Sequence, residues 1–513
     1  MTNPQKEITS TQITLAELEN YLWQAADILR GSIDSSDYKN YIFGLLFLKR
    51  LSDRFEEVAE NLIEKKGINE KIAYEDEDLH TFFIPERARW PHIQKQTVDI
   101  GATINKAFEL IEDENDNIEN GVLSSIDFND KNRLPDNVLE ELIVHFSKKR
   151  FYNSDLSDPD IFGRAYEYLI RQFADDAGKK GGEFYTPREV VSVLVQMLDP
   201  EPGMRIYDPC CGSGGMLVYS AIHITDQGGR AEDVTLYGQE RNLNTWAICE
   251  MNMILHDLPD ANIEKGDTLR SPQFLDSGGL MVFDRVIANP MWNQKKWSKT
   301  FLEDDPYNRF PYGLPPNSSG DWTWVQHMFA SLSKTGKMGI VLDNGVLFRS
   351  RSEGKIREQF LKHDYIESVV ALPKNLFYNT SSPGCLLILN KDKPEERKGK
   401  VLFIYAEDQV LRESGVKMYD ELSNQNRLTD EGITKILDTY REYSEEPHHS
   451  RIVGLDEIEE NDWNLNVPRY VDTTEPEEPV DVSEKLQELH QLEEQRDETT
   501  QKLNSFMEEL GYA

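Results

Sequence analysis

Residues that could do chemistry cluster first around a glycine-rich turn. A short apolar run ends at Asp208 and is followed by Pro-Cys-Cys-Gly-Ser-Gly-Gly, and a helical pattern begins at Gly215. Glycine lets the backbone approach a ligand closely, and a helix amino terminus favours polar or anionic groups. The turn is neither a GxGxxG motif nor the GK[ST] of a phosphate-binding loop, which argues against dinucleotides and ATP. The pattern therefore predicts a cofactor site without a bound pyrophosphate.

Two further acids follow the next two strand-like segments. Glu240 closes the segment that begins at Thr235, and Asp267 follows the one after it. An acid at the end of the second strand of such a unit can bind the two hydroxyls of a ribose. Asp267 could accept a hydrogen bond from an adenine amino group. With the glycine-rich turn, these acids predict an adenosine-bearing cofactor that lacks a pyrophosphate, which points to S-adenosylmethionine.

The segment Ala288-Asn289-Pro290-Met291-Trp292 directly follows another strand-like run. Methyl transfer to an exocyclic amine needs acceptors aimed at that amino group, and the Asn289 side-chain oxygen and the Pro290 carbonyl can take both N–H bonds. Such bonds raise the electron density on the nitrogen and orient its lone pair towards the sulfonium methyl group. Trp292 would supply an aromatic face for a base extracted from the duplex. Taken alone, the segment fits a strand-ending turn equally well.

A fourth candidate segment, Gly-Gly-Glu-Phe-Tyr-Thr-Pro-Arg-Glu, occupies 181–189. Thr186 and Glu189 have the spacing of a capping box, and Pro187 would be the first helical residue. The simplest interpretation is a well-capped helix. Because the segment lies just upstream of the glycine-rich turn, it also predicts a wall over the methionine end of the cofactor.

The elements that must position these residues follow from the hydrophobic pattern. From about residue 160, β-type runs alternate with helical stretches, which predicts an α/β fold with a mainly parallel sheet and helices on both faces. The ligand site of such a sheet lies at the carboxyl ends of its strands. The strand-like runs are 205–208, 235–240, 283–289, 338–342, 368–372 and 385–390, and the helical stretches include 187–198, 215–223 and 243–256.

The two ends of the chain have other patterns. Apolar residues recur at three- and four-residue steps from Leu15 to Leu29, and similar patterns predict helices over most of the first 150 residues. The acidic, proline-rich residues 471–481 are typical of a linker, and apolar patches on a helical pattern follow. We predict a helical domain at 1–155, a catalytic domain at 156–470, and a linker with a docking helix at 471–513.

Composition excludes several classes of protein. The 513 residues are 38% hydrophobic, which is too much for wholesale disorder. The chain has only four cysteines, and their spacing supports neither a disulfide scaffold nor a metal site. The sequence shows no secretory signal and no apolar stretch long enough to span a bilayer, so we expect a cytoplasmic protein. With 56 basic and 92 acidic residues, the net charge of −36 would repel DNA. Action on DNA would need a local positive surface or a partner.

In order and spacing, the segments 181–189, 208–217, 237–240, 266–269 and 289–292 resemble the N6-adenine DNA methyltransferases of the γ arrangement. The N-terminal LENYLWQAADILRG and YIFGLLFLKRLSDRFEE resemble the helical domain of one subset, the methylation subunits of type I restriction-modification systems. The resemblance implies a Rossmann-like S-adenosylmethionine-dependent methyltransferase domain with an N-terminal helical domain and a C-terminal helical tail. The chain departs from the family's NPP[FYW] at Met291, which replaces the second proline.

The resemblance and the residue pattern together predict the site residues. The catalytic residues would be Asn289, Pro290 and Trp292, and the cofactor would contact Glu183, Phe184, Tyr185, Thr186, Pro187, Arg188, Asp208, Ser213, Gly214, Gly215, Glu240 and Asp267. The implied partners are DNA with its target adenine flipped out, a specificity subunit that binds two methylation subunits, and a restriction subunit in the full complex. Two alternatives stay open: a catalytically silent structural subunit, and a methyltransferase that acts on a non-DNA amine such as protein glutamine.

Overall fold

The computed structural model describes most of the chain. It describes residues 12–512 except 35–36, 116–117, 119–120, 125, 158–160, 163–164, 166–167, 170–185, 257, 296, 298, 378–379, 423–424 and 475–481. The chain divides into two compact units, residues 1–471 and residues 472–513. Among the described helices, none combines the length and the apolar character that crossing a bilayer requires.

The part of the first 150 residues that the structure describes is mainly helical, as the sequence predicts. Their helices are α1 (Leu15–Leu29), α2 (Tyr38–Lys66), α3 (Glu70–Glu75), α4 (Trp90–Ile93), α5 (Ile100–Asp113) and α6 (Asp136–Phe146). Thr14 and Glu17 form a capping box that starts α1, and Gly67 ends α2 in a left-handed conformation with φ 65°. The apolar stripe of α1 is buried, so this region packs by an amphipathic helix face.

The other helices whose bounds the structure describes surround the sheet or follow it along the chain. They are α7 (Arg188–Leu198), α8 (Gly215–Asp226), α9 (Leu243–Leu255), α10 (Asp321–Ala330), α11 (Ser352–Lys362), α12 (Asp430–Glu442), α13 (Leu455–Glu460) and α14 (Val482–Glu509). The last of these, α14, lies in the second unit and is the helix that the sequence predicts after the linker.

In the described part of the first unit, the central sheet has nine strands in the order β13–β10–β8–β9–β7–β6–β1–β2–β3. These strands are β1 (Arg205–Asp208), β2 (Thr235–Glu240), β3 (Asn262–Lys265), β6 (Phe283–Ala288), β7 (Leu332–Asp343), β8 (Ile366–Ala371), β9 (Gly384–Asn390), β10 (Lys400–Tyr405) and β13 (Ser450–Gly454). Two small hairpins lie outside it, one of β4 (Leu275–Asp276) with β5 (Gly279–Leu280) and one of β11 (Tyr419–Glu421) with β12 (Asn426–Leu428).

Most neighbouring strands of the central sheet are parallel, as the sequence predicts. The pairs β1–β2, β2–β3, β1–β6, β6–β7 and β8–β10 are parallel, whereas β9 runs antiparallel to both β7 and β8, and β13 runs antiparallel to β10. The hydrophobic pattern did not predict the reversed direction of β9, because a fully buried strand reads the same in either direction.

Two apolar cores cover the two faces of this sheet. Successive residues of one strand alternate between them, so that Val369 belongs to one core and Val370 to the other. The core that contains Val370 also contains the apolar faces of α1 and α2, which joins the N-terminal helices to this face of the sheet. Because strands buried on both faces need apolar residues at every position, β8 and β9 are buried along their whole length.

Candidate active site

The predicted site residues from Asp208 onwards lie at or just past the carboxyl ends of β1, β2, β3 and β6. The chain runs from β1 outwards to β2 and β3 and then returns to pair β6 on the other side of β1. Such a reversal opens a crevice at the carboxyl ends of the two central strands. Tyr207 of β1 lies opposite Val286 of β6, so Asp208 and Asn289 follow the same end of neighbouring strands.

Asp208 ends β1 and is buried, with only 2% of its surface exposed. Its Oδ1 accepts a hydrogen bond of 3.0 Å from the Cys210 backbone N–H, which bends the chain into the glycine-rich turn. Burial, and secondarily the nearby charge of Glu240, raise the pKa of Asp208 to about 8. The carboxyl group is therefore largely protonated at neutral pH and can donate as well as accept a hydrogen bond.

Glu240 at the end of β2 joins the turn to the second strand. Its Oε2 accepts from the Gly212 N–H at 3.1 Å, and its Oε1 accepts from the Asn242 N–H at 2.7 Å. A carboxylate at the end of the second strand is the kind of acceptor that binds the hydroxyls of a ribose. The Gly266 N–H donates to the Glu240 backbone carbonyl at 2.8 Å and brings Asp267 to the same edge.

Asp267 lies among arginines. Its Oδ2 is 3.5 Å from Arg241 Nη1 and 3.7 Å from Arg270 Nε, and its side chain is 26% exposed. Its Oδ1 accepts from the Arg270 backbone N–H at 3.3 Å. The structure thus places Asp267 beside the predicted cofactor edge, between two arginines.

The glycines of the turn have two different structural roles. Gly214 has φ 83°, and a Cβ there would lie 2.7 Å from Cys249 Sγ, so helix α9 packs too closely for any side chain. A Cβ at Gly212 or Gly215, in contrast, would meet no atom within 4 Å. These two positions border open space next to Glu240, which is the kind of cradle that a nucleoside needs.

The Asn289 side chain is held on both of its polar atoms. Its Nδ2 donates to Thr186 Oγ1 at 2.8 Å, and its Oδ1 accepts from the Trp292 indole N–H at 2.9 Å. Because an indole N–H can only donate, this bond fixes which amide atom is the oxygen. The indole N–H also reaches the Val341 carbonyl at 3.2 Å. The oxygen keeps one lone pair for a substrate amine.

Trp292 is nearly enclosed. It is 8% exposed and packs edge-on against Phe377, with ring centroids 4.7 Å apart. A Cβ at Gly384 would lie 2.9 Å from the Trp292 ring and 2.5 Å from that of Phe377, so glycine is required where β9 begins. The sequence predicts Trp292 as a stacking surface for a base, and the structure adds its bond to Asn289. Sequence reasoning missed Phe377.

Thr186 has another role than the one its spacing predicts. Its hydroxyl contacts Asn289, and helix α7 begins at Arg188 with Pro187 as its N-cap. The predicted capping box of Thr186 with Glu189 was therefore wrong, because the threonine hydroxyl serves a loop that lies 103 residues further along the chain. The Arg188 guanidinium lies over the Tyr219 ring.

The structure describes Ser213 of the predicted site but not the first three residues of the segment predicted to cover the cofactor. Glu183, Phe184 and Tyr185 lie outside the described residues. The Ser213 carbonyl accepts from Asn252 Nδ2 at 3.0 Å, a bond that holds the turn against helix α9.

Models of known protein families match both the helical N-terminal region and the region that contains this site. The model of the N-6 DNA Methylase family matches residues 157–479, and the model of the HsdM N-terminal domain matches residues 18–146.

Curated relatives agree with these matches. The type I restriction enzyme MjaVII methylase subunit of Methanocaldococcus jannaschii is 36% identical, over 94% of this chain and 82% of its own. The HindI methylase subunit of Haemophilus influenzae is 35% identical, over 80% of this chain and 94% of its own.

Solved structures agree as well. The crystal structure of a type I restriction-modification methyltransferase subunit from Streptococcus thermophilus has a TM-score of 0.76 and 31% identity, and the match covers 90% of this chain and all of that one. A modification subunit of a putative type I restriction enzyme from Vibrio vulnificus shares the fold at a TM-score of 0.63. The chain therefore belongs to the N-6 DNA methylase family and, within it, to the methylase subunits of type I restriction-modification systems.

Proposed function

We propose that this chain transfers a methyl group from S-adenosylmethionine to the N6 atom of an adenine in DNA. The observation that carries the proposal is the Asn289 amide, whose orientation is fixed by Thr186 and Trp292 beside the glycine-rich turn. Preorganised acceptors of this kind lower a reaction barrier because they need no rearrangement when charge develops.

The cofactor would be held by residues that the structure brings together. Glu240 would accept from its ribose hydroxyls, Asp267 would accept from its adenine amino group, and Gly212 and Gly215 border the open space beside them. Following the family resemblance, the segment 183–188 would cover its methionine end. When bound, S-adenosylmethionine supplies an electrophilic methyl group on a sulfonium.

The target amine would meet two acceptors of this chain. Asn289 Oδ1 has a lone pair beyond the one that Trp292 uses, and the Pro290 carbonyl supplies the second acceptor. Together they would bind both N–H groups of the adenine amine and direct the nitrogen lone pair towards the cofactor. Trp292 packs against Phe377, and its indole N–H bond to the Asn289 oxygen would keep the amide in this orientation. Catalysis would thus consist of positioning and electrostatics.

Transfer of radiolabelled methyl groups to DNA tests this proposal. We expect label in adenine when the chain is purified together with its specificity subunit. Label found only in protein would favour the alternative of a glutamine methyltransferase. No label in either product would favour a silent structural subunit.

Assembly with a specificity subunit is the second part of the proposal. With a net charge of −36, the chain as a whole repels DNA, so a partner that reads the sequence would supply the positive surface. Helix α14 offers exposed apolar side chains at two places along its length. They are Leu486, Leu489 and Leu492 near its start, and Leu503, Phe506 and Met507 near its end, with Leu510 directly after it. Such a helix is suited to docking in a groove or against another helix.

We propose two methylation subunits per specificity subunit, with a restriction subunit in the full complex, as the family resemblance implies. Deletion of residues 482–513 should prevent or weaken assembly, since it removes both apolar patches. Size-exclusion chromatography of the truncated chain with the specificity subunit measures this, and circular dichroism checks that the remaining unit is folded. Unchanged assembly and unchanged DNA methylation of the truncated complex would refute the docking role.

A further inference from the structure

The residue after Trp292 is fixed as firmly as Asn289. Asn293 has a left-handed backbone with φ 52°, a conformation that asparagine tolerates better than most residues. Its backbone N–H donates to Asp321 Oδ1 at 2.9 Å, and its side-chain oxygen accepts from Arg349 Nη1 at 2.8 Å. Asp321 begins helix α10, and Arg349 lies between β7 and helix α11. Two distant elements therefore hold one residue of the loop.

Arg349 is the centre of this cluster. Its Nη1 also donates to Ser319 Oγ at 2.8 Å, and its Nη2 donates to Asp321 Oδ2 at 2.8 Å. Two more carboxylates lie near it, Asp343 at 3.5 Å and Glu353 at 3.4 Å. A planar guanidinium can satisfy several acceptors at fixed angles at once, which a lysine ammonium cannot do in the same geometry.

The cluster is internal and rich in carboxylates. Asp321 and Glu353 are 0% and 2% exposed, and three carboxylates lie within 3.5 Å of the Arg349 guanidinium. Burial raises the pKa of both Asp321 and Glu353, and the charge of Arg349 opposes that rise. Burying charged groups in this way costs free energy of folding unless the geometry and the hydrogen bonding are good. The position of the cluster beside the Asn289–Trp292 loop therefore indicates a function there.

We propose that Arg349 and Asp321 are positioning residues for methyl transfer, which act by anchoring Asn293 and so fix the Asn289–Trp292 loop at its second end. The inference rests on the proposed function of that loop. Thr186 holds the loop at its first end, and this cluster holds it just past Trp292. A second proline would stiffen the segment through its ring, whereas Met291 cannot, so these side chains supply the rigidity.

Three variants of the loop test the anchor. Asn293→Gly keeps the left-handed backbone and the amide bond to Asp321 but removes the acceptor for Arg349. Asn293→Asp keeps that acceptor and tolerates the same backbone. Asn308→Gly is the matched control, because Asn308 is an exposed asparagine with the same φ of 52°.

We expect Asn293→Gly to lower the single-turnover rate of methyl transfer by about ten- to a hundredfold, since small misplacements of reacting groups are costly. The affinity for S-adenosylmethionine should stay unchanged in every variant. Asn293→Asp should restore most of the rate, and Asn308→Gly should match the wild type. A wild-type rate in Asn293→Gly, or an equal loss in Asn293→Asp, would overturn the anchor.

A second measurement does not depend on catalysis. Hydrogen–deuterium exchange of a peptide that covers 288–294 should speed up in Asn293→Gly and in Arg349→Lys, but not in Asn293→Asp or Asn308→Gly. If the wild-type complex methylates no DNA, the proposed function fails, and this exchange pattern still decides whether the anchor exists. Unchanged exchange in both Asn293→Gly and Arg349→Lys would refute it.

Discussion

The cofactor half of the site and the target half are held by different kinds of contact. At the glycine-rich turn, the acids Asp208 and Glu240 end strands β1 and β2 and accept from backbone N–H groups just past those strand ends, at Cys210, Gly212 and Asn242. At the Asn289 loop, the fixing bonds join side chains from distant elements, such as Thr186 to Asn289 and Arg349 to Asn293.

This difference has a chemical reason. A cofactor site has to fit one ligand of fixed shape. The backbone amides and glycines of a short turn can form such a surface within a few residues. A target amine has to meet two acceptors at one orientation, which requires side chains locked in one rotamer by their neighbours. Single substitutions in the target half should therefore mainly lower the rate of methyl transfer. Single substitutions in the cofactor half should mainly lower the affinity for S-adenosylmethionine.

The largest effect should come from Asn289→Ala. The variant removes the oxygen that would bind the target amine, and losing one preorganised group of this kind costs about 10²- to 10³-fold in rate. The affinity for S-adenosylmethionine should barely change, because the Asn289 oxygen would act on the target amine and not on the cofactor. Methyl-transfer kinetics and calorimetry on the same preparation measure both quantities. A complex that methylates at the wild-type rate would contradict the assignment of this residue.

A smaller effect, on affinity, should come from Glu240→Ala. The variant removes the acceptor for the ribose hydroxyls and also frees the Gly212 and Asn242 amides. A hydrogen bond to a charged group contributes about 1.5–3 kcal/mol, so the affinity for S-adenosylmethionine should fall roughly tenfold or more. Calorimetry measures this loss, with Glu240→Gln as the control that keeps one acceptor oxygen. Unchanged affinity in Glu240→Ala would place the ribose elsewhere.

The same contrast explains what the sequence could predict. The strands β1 and β2 have the predicted bounds, and the acids after them follow by position, because strand periodicity and glycine turns are local signals. The hydrogen bond from Asn289 to Thr186 joins residues 103 positions apart, so no local sequence pattern predicts it. The role of Thr186 was therefore mistaken for a cap, and Phe377 and Arg349 were missed.

A third prediction concerns the pH dependence of the cofactor half. The pKa of Asp208 is raised by burial to about 8, so the folded chain favours the protonated carboxyl. Its contribution to stability is then complete below the unfolded pKa of about 4 and is lost as the pH rises towards 8. Asp208→Asn keeps the Oδ1 acceptor for Cys210 but cannot ionise.

The melting temperature of Asp208→Asn, measured without cofactor, should therefore rise relative to the wild type between about pH 5 and about pH 8. The corresponding Glu240→Gln variant should lessen the pH dependence of the wild type only slightly, since burial is the larger cause of the shift. Parallel melting profiles for Asp208→Asn and the wild type across this range would show that Asp208 ionises normally.

The smallest effect should come from Met291→Pro, which restores the second proline of the family motif. Met291 is 41% exposed and has a negative φ, and in the described part of the chain no hydrogen bond leaves its N–H, so a proline there removes no backbone hydrogen bond. Proline at a compatible position stabilises by about 0.4–1 kcal/mol, chiefly by restricting the unfolded chain. Because side chains already hold the loop at Asn289 and at Asn293, kcat/KM for DNA methylation should change by less than about fivefold. A gain of tenfold or more would show that the wild-type loop is loose, and that the ring, rather than the two anchors, sets the position of the target half.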